Sequence, residues 1–281
     1  MSATLTLAWL TFHEARRRSM VLVAIVLGAA FLILFGLGLQ LIAHNRVAHN
    51  TPAATSALLQ SEVNSLLTLG GLYVVHFLAI MLAIVATVDA IPGEISSHTI
   101  QTIVTKPIAR WEVIAGKWLG YTSMLTLYTL LLCAGILLEG QVLTGYTPPN
   151  VVPGVGLILL EVAALVSLSL LLGVFVSTLT NGIILFMLYG LAFIGSWVEQ
   201  IGTLFNSPAT SRVGIVSSLV MPVESLWRLA AHTMQPPLFT TINTSPFSLG
   251  AVPSVATVYY AIAYALGLAL LAMRAFSRRD L

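Results

Sequence analysis

The sequence predicts an all-α integral membrane protein of six transmembrane helices, with an interfacial helix ahead of the first and a short amphipathic helix between the second and third. Three observations predict it. Of 281 residues, 58% are hydrophobic and 8% charged, against about 25% charged in a soluble domain. The apolar residues gather into six long runs, each able at ~1.5 Å per residue to cross a ~30 Å hydrocarbon core. Lysine and arginine are spread unevenly over the segments between those runs. The single cysteine, Cys133, sits inside an apolar run, which excludes an intramolecular disulfide, a CxxC pair and a cysteine-based metal site.

All of 1–281 reads as one transmembrane domain. In residues 1–18, Leu5, Ala8, Trp9 and Phe12 share one helical face and Arg16, Arg17 and Arg18 follow. That is the pattern of a helix lying in the membrane interface with its arginines beside anionic lipid. The arginines come after the apolar residues and no small-residue cleavage site appears, so this is not a signal peptide. Residues 20–43 are uninterrupted and uncharged and form the first span. Residues 44–64 are polar, contain Pro52 and read as a loop, with room for a short helix near Leu58. The second span is 65–88, with His76 inside it. The third is 118–138, and Gly116 and Gly120 at its start have the spacing that permits close helix approach. A loop at 139–153 leads to the fourth span, 154–179, which holds Glu161. Thr180 and Asn181 make a tight link to Gly182 and the fifth span, 182–202. Residues 206–249 carry Pro208, Pro222, Pro236, Pro237 and Pro246 and form a long polar interruption. Within it, 213–231 reads as an interfacial or re-entrant helical piece, too short in its apolar run to span. The sixth span is 252–273.

With the amino terminus inside, the inner segments hold Arg16, Arg17, Arg18, Lys106, Arg110, Lys117, Arg274, Arg278 and Arg279. The outer ones hold Arg46, Arg212 and Arg228. This bias predicts a multi-pass cell-membrane protein with both termini in the cytoplasm. It also puts the links between spans two and three, and four and five, on the cytoplasmic side.

The link at 89–120 organises the chain. It is the longest polar interruption of the amino-terminal half and holds both lysines. Pro92-Gly93 breaks the incoming helix. Ile91, Ile95, Thr99 and Ile103 recur every four residues, predicting a short helix over 94–105 with one apolar line. Pro107 ends it, because the residue before a proline is pushed out of helical angles. Such a helix is a docking element for something in the cytoplasm. Arg110 and Lys117 are expected to anchor its ends at the inner headgroups, with Trp111 and Trp118 adding interface anchoring.

Catalytic patterns are absent. His13-Glu14 lacks the second histidine of HExxH, and there is no GxxxxGK[ST] or GxSxG. Glu94 and His98 are four apart, but two ligands do not make a metal site. The methionines are scattered, so no thioether relay for copper is visible. No catalytic residue, metal, cofactor or nucleic-acid partner is expected. His76 reads first as a histidine hydrogen-bonded to a neighbouring helix, since no acid or second histidine lies within a turn of it, and second as a proton relay or ligand. Glu161, about two turns into its span, divides evenly between lining a polar pathway and snorkelling outward. Glu139 and Glu199, at span ends, are expected to snorkel. His76 and Glu161 are therefore the candidate pathway residues.

The run Glu94-Ile-Ser-Ser-His-Thr-Ile-Gln-Thr-Ile-Val-Thr-Lys-Pro-Ile-Ala-Arg110, followed by Gly116-Lys117, resembles the signature of ABC type-2 permeases. There an acid, Thr-Ile, Pro-[Ile/Val]-x-Arg and Gly-Lys mark the cytoplasmic link between spans two and three. Phe276-Ser-Arg-Arg-Asp-Leu281 resembles the family's arginine-rich ending. Val176-Ser-Thr-Leu-Thr-Asn-Gly182 and Met221-Pro-Val-Glu-Ser-Leu-Trp-Arg228 resemble the subgroup named for multicopper-enzyme maturation, which includes the permease serving nitrous-oxide reductase.

The resemblance covers essentially the whole chain and implies the type-2 ABC exporter permease fold. It implies a half-transporter, in which two permease copies, identical or different, pair above two separate cytoplasmic ATPase subunits that bind the ATP and magnesium. Residues 1–18 would be the elbow helix and 94–105 the coupling helix seated in a groove of the ATPase. Glu94, Ile95, Thr99, Ile100, Ile103, Pro107, Arg110 and Lys117 would carry the coupling, with Asn181 in a smaller second contact. The chain would then be no enzyme itself, and would export a solute or amphiphile. Two other functions stay open. An ion-gradient-driven transporter needs paired intramembrane charges or broken helices in two related halves, and no such repeat is visible. A scaffold transmitting ATPase motion to an outer-surface protein could hold that partner on 44–64 and 206–249.

Overall fold

Apolar runs of this length fold as helices because, away from water, every backbone N–H and C=O must be paired within the segment. The structure, a computed structural model, describes residues 3–17, 19–47, 53–97, 109–204, 208–236 and 253–279. No strand occurs among them. In order, the helices are α1 (Ala3–Arg17), α2 (Ser19–Val47), α3 (Ala53–Thr87), α4 (Pro92–Ser96), α5 (Arg110–Thr144), α6 (Val151–Phe175), α7 (Thr178–Leu204), α8 (Pro208–Val220), α9 (Val223–Thr233) and α10 (Ala256–Ser277). Six of them, α2, α3, α5, α6, α7 and α10, are long and apolar enough to cross a membrane. The chain is a multi-pass membrane protein.

Several boundaries differ from the sequence reading, each for a local reason. The polar stretch 44–64 is mostly helical: α2 continues to Val47 and α3 already starts at Ala53. The third long helix starts at Arg110 instead of 118. The Glu112 carboxylate accepts the Ala109 N–H at 3.1 Å, half of a capping box that starts the helix inside the polar link. That helix ends where Gly145 turns left-handed at φ 67° and donates to the Gln141 carbonyl at 3.1 Å. The break between α6 and α7 falls at Val176 and Ser177. Val176 is extended, and Thr180 and Asn181 belong to the first turns of α7 instead of forming the link. The piece expected over 213–231 is two helices, α8 and α9, bent by 107°. The bend is at Met221-Pro222, where a proline without an N–H cannot continue α8.

The core sits around α6, which packs against α3, α5, α9 and α10. Its Ile158, Val162, Leu165 and Leu170 are each at most 1% exposed. By contrast, only 11% of the α2 span is buried within the chain. α2 therefore forms an edge, packed on α5 and α3 along one side.

The amino-terminal helix finds its place through the two glycines of α5. α1 lies against the start of α5 so closely that a Cβ on Gly116 would come within 2.6 Å of Leu7 Cβ. One on Gly120 would come within 2.8 Å of the Ala8 carbonyl oxygen. Thr11 and Ala15 are buried in this contact, while Leu5 and Trp9 are 53% and 59% exposed on the other side. The apolar face read from the sequence is thus shared: Ala8 and Phe12 turn to the protein, Leu5 and Trp9 away from it. Gly120→Leu is expected to lever α1 off α5, at the roughly 1–3 kcal/mol that overpacking costs. The thermal unfolding midpoint in detergent should fall, whereas Gly38→Leu, with nothing within 4 Å of its Cβ position, should not lower it.

Candidate functional site

The end of the bundle that carries the basic residues is laced by side chains. Glu94 of α4 accepts a hydrogen bond from Lys117 of α5 at 2.6 Å, with the two side chains 18% and 8% exposed. Arg110, at the start of α5, donates to the Arg279 carbonyl at 2.6 Å. The Arg279 guanidinium in turn donates to the Val174 carbonyl. These contacts tie the start of α5, the end of α10 and the end of α6 together. The Thr178 hydroxyl donates to Asp89 at 2.9 Å. Asn181 spends both protons of its amide, on the carbonyls of Val88 and Ser169, each at 3.1 Å.

These placements correct three expectations. Lys117 does not reach for lipid headgroups, because its charge is used on Glu94 inside the protein. Arg110 is likewise held by a backbone carbonyl. Asn181 is fully buried, so it braces α3, α6 and α7 and offers no surface to a partner. Ile95 is partly buried and packs on the core. Of the helix expected over 94–105, the described part is the single turn of α4, which Pro92 opens and Ser97 closes. Thr99, Ile100, Ile103 and Pro107 lie outside the described residues. Trp111 is 49% exposed, whereas the Trp118 indole turns inward and donates to the Ser167 hydroxyl at 2.8 Å.

A second polar site lies in the middle of the bundle. His76 of α3 is fully buried. Its Nδ1 is 2.6 Å from Glu161 Oε1 of α6, and its Nε2 faces Glu224 Oε2 of α9 at 3.6 Å. The ring stacks on Trp227, with centroids 5.0 Å apart, and on Tyr73, at 5.7 Å, and those two rings lie 5.4 Å from each other, so the three form a cluster. One turn along α9, Arg228 donates to Glu199 of α7 at 2.6 Å. Eleven residues separate His76 from the end of α3, or roughly 16 Å.

The bent pair α8–α9 is what delivers Glu224 to this depth. A break in a helix leaves carbonyls without intrahelical donors, and inside a bundle they must be paired by other groups. Tyr260 and Tyr264 of α10 supply their hydroxyls to the carbonyls of Leu219 and Val220, at 2.5 Å and 3.0 Å. Met221 and Val223, on either side of Pro222, are each 1% exposed.

The structure therefore brings together the two candidate pathway residues, His76 and Glu161, and adds groups not singled out from the sequence. Glu199, expected to snorkel, is 7% exposed and paired with Arg228. Glu139 lies at a cleft between α2 and α5 that Gly36 and Gln40 also line. Glu224 was overlooked because its partner is remote in sequence. A signal was present: Glu224, Trp227 and Arg228 stand at i, i+3 and i+4 and share one helical face. Chemically, the cluster can hold charge and protons, and it contains no activated nucleophile.

Asn181 yields a prediction. Asn181→Ala removes two donors from buried carbonyls, and Asn181→Asp sets a carboxylate against them. The first should cost about 1–3 kcal/mol and the second more, read as successive drops of the unfolding midpoint in detergent.

The sequence model of the family described as ABC-2 family transporter protein matches residues 5–281. No curated protein matches the chain. The family match spans α1 to the end of α10, and so includes the laced basic end and the buried cluster alike. The chain belongs to the ABC-2 family of transporter proteins and is a membrane permease component of an ABC transporter.

Proposed function

We propose that this permease component is driven by separate cytoplasmic ATPase subunits gripping the link between α3 and α5, and that it exports a solute or amphiphile as one half of a paired permease. The Glu94–Lys117 ion pair carries this reading. A helix of a single turn cannot hold itself in place, so a force on the link would be lost unless the link were fastened. Fastened to Lys117, α4 moves with α5. Arg110 and Arg279 extend the connection to α10 and α6, and Asn181 extends it to α3 and α7. Such a braced end can turn a push from below into a shear between spans.

ATP and magnesium belong in this scheme to the partner, and the permease chain catalyses nothing itself. The excess of lysine and arginine on this end supports its placement in the cytoplasm with both termini. The largely unburied span α2 supports a second permease copy beside it, identical or different. The resemblance of Val176–Gly182 and Met221–Arg228 to permeases for multicopper-enzyme maturation favours a protein partner at the outer surface, to which motion could be passed instead of solute.

Reconstitution with the cognate ATPase tests the reading. Lys117→Glu or Glu94→Lys alone breaks a largely buried pair, at roughly 3 kcal/mol, and should cut permease-stimulated ATP hydrolysis at least about tenfold. The double exchange should restore most of it. Ile100→Asp and Ile103→Asp combined should abolish stimulation and co-purification, and full stimulation by that double variant would contradict docking on this link.

A further inference from the structure

We propose that His76, Glu161 and Glu224 form an intramembrane binding site for a single proton, and that this proton, on His76 Nε2, latches the α8–α9 hairpin to the body of the bundle. The inference is independent of how the ATPase is engaged.

Charge counting leads to it first. Arg228 is matched by Glu199 at 2.6 Å, so neither has charge to spare. What remains is one imidazole facing two carboxylates, with His76 and Glu161 fully buried and Glu224 5% exposed. With a neutral imidazole the three would carry two negative charges, and with an imidazolium one. Excess charge is expensive inside a membrane span, so the site favours an added positive charge. Among the described residues no three His, Cys, Asp or Glu side chains are placed to hold a metal ion, and a proton is a positive charge the site can take without a coordination shell.

Hydrogen-bond geometry identifies where it binds. A neutral imidazole donates from one nitrogen, an imidazolium from both. With Glu161 ionised, Nδ1 is the nitrogen that donates to it, at 2.6 Å, which leaves Nε2 bare on the neutral ring. Nε2 lies 3.6 Å from Glu224 Oε2, beyond hydrogen-bonding distance. Nε2, Glu224 Oε2 and Glu161 Oε2 are all buried without a hydrogen-bond partner. A bare Nε2 lone pair opposite a carboxylate repels it. When hydronium transfers its proton to that lone pair, an N–H bond forms, water leaves, and a short movement of α9 closes a charge-assisted hydrogen bond. His76 then joins α6 on one side to α9 on the other.

The other groups facing the site do not supply the missing charge. From α3 there is Tyr73, stacked on the ring. Tyr189 of α7 and Cys133 of α5 sit close enough to feel the carboxylates, yet a phenol and a thiol bring no positive charge. Arg228 of α9 and Glu199 of α7 cancel one another. From α10, Tyr260 and Tyr264 are occupied with the end of α8.

Trp227 is a built-in reporter, since a stacked imidazolium quenches indole emission more than imidazole does. The test uses the full chain in nanodiscs with Trp9, Trp111, Trp118 and Trp197 replaced by Phe, leaving Trp227 alone. Its emission should show one pH-dependent step. His76→Gln should abolish the step. Glu224→Gln, which keeps shape and size, should displace its midpoint by about one pH unit or more. A flat titration, or a step that survives His76→Gln, would overturn the proposal. Should His76→Gln not fold, Glu224→Gln decides by itself, and an unmoved midpoint refutes the site. A response to sodium chloride at fixed pH, absent with choline chloride, would make this a cation site and also refute the proton.

Discussion

A lysine removed from water must end on an acid or not be there, and Lys117 ends on Glu94 at 2.6 Å. That contact joins a helix of five residues to one of 35. Everything else at the basic end builds outward from it. α5 is held in turn by α1 on its glycine face and, through Arg110, by the tail of α10. Without the pair, α4 would keep the buried Pro92 and the packed Ile95 as apolar anchors and would lose its ionic tie to α5.

Much of the architecture was legible because membrane insertion leaves few choices. Long apolar runs must be helices, and prolines and polar residues mark where they stop. That logic located six spans and an irregular stretch before the last. It failed where polar residues continue a helix, as at Val47 and Ala53, since a helix beyond the hydrocarbon is no longer obliged to be apolar. It also misplaced the break before α7. Thr180 and Asn181 look like turn residues by propensity, but Asn181 finds two carbonyls on neighbouring segments and is worth more inside the helix than in a loop.

The polar cluster was harder to read, and the reason is distance along the chain. His76 and Glu161 are separated by 85 positions, so neither spacing nor periodicity links them. Singly, each had a bland explanation. Only the bend at Pro222 places Glu224 opposite the free side of the ring. The weak Gly116/Gly120 signal went the other way: a motif common by chance is here a seat for α1, because Leu7, Ala8 and Thr11 fit a surface without side chains.

The two polar sites divide the labour of holding the bundle. At the basic end, charges and amides bind helix ends to one another through short contacts, with one oxygen each of Glu94 and Asn181 left over. In the middle, pairing is incomplete: Arg228 has two buried nitrogens without partners, and His76 and both of its acids have one atom each. Native interiors rarely tolerate so many orphans in one place. A protein can keep them if a second arrangement satisfies them, because the cost is then borne in one state and recovered in the other. The hairpin α8–α9 is suited to provide that alternative. Its Glu224 and Arg228 contact different spans, so a small rotation about the bend would exchange one set of partners for another while the laced end stays fixed.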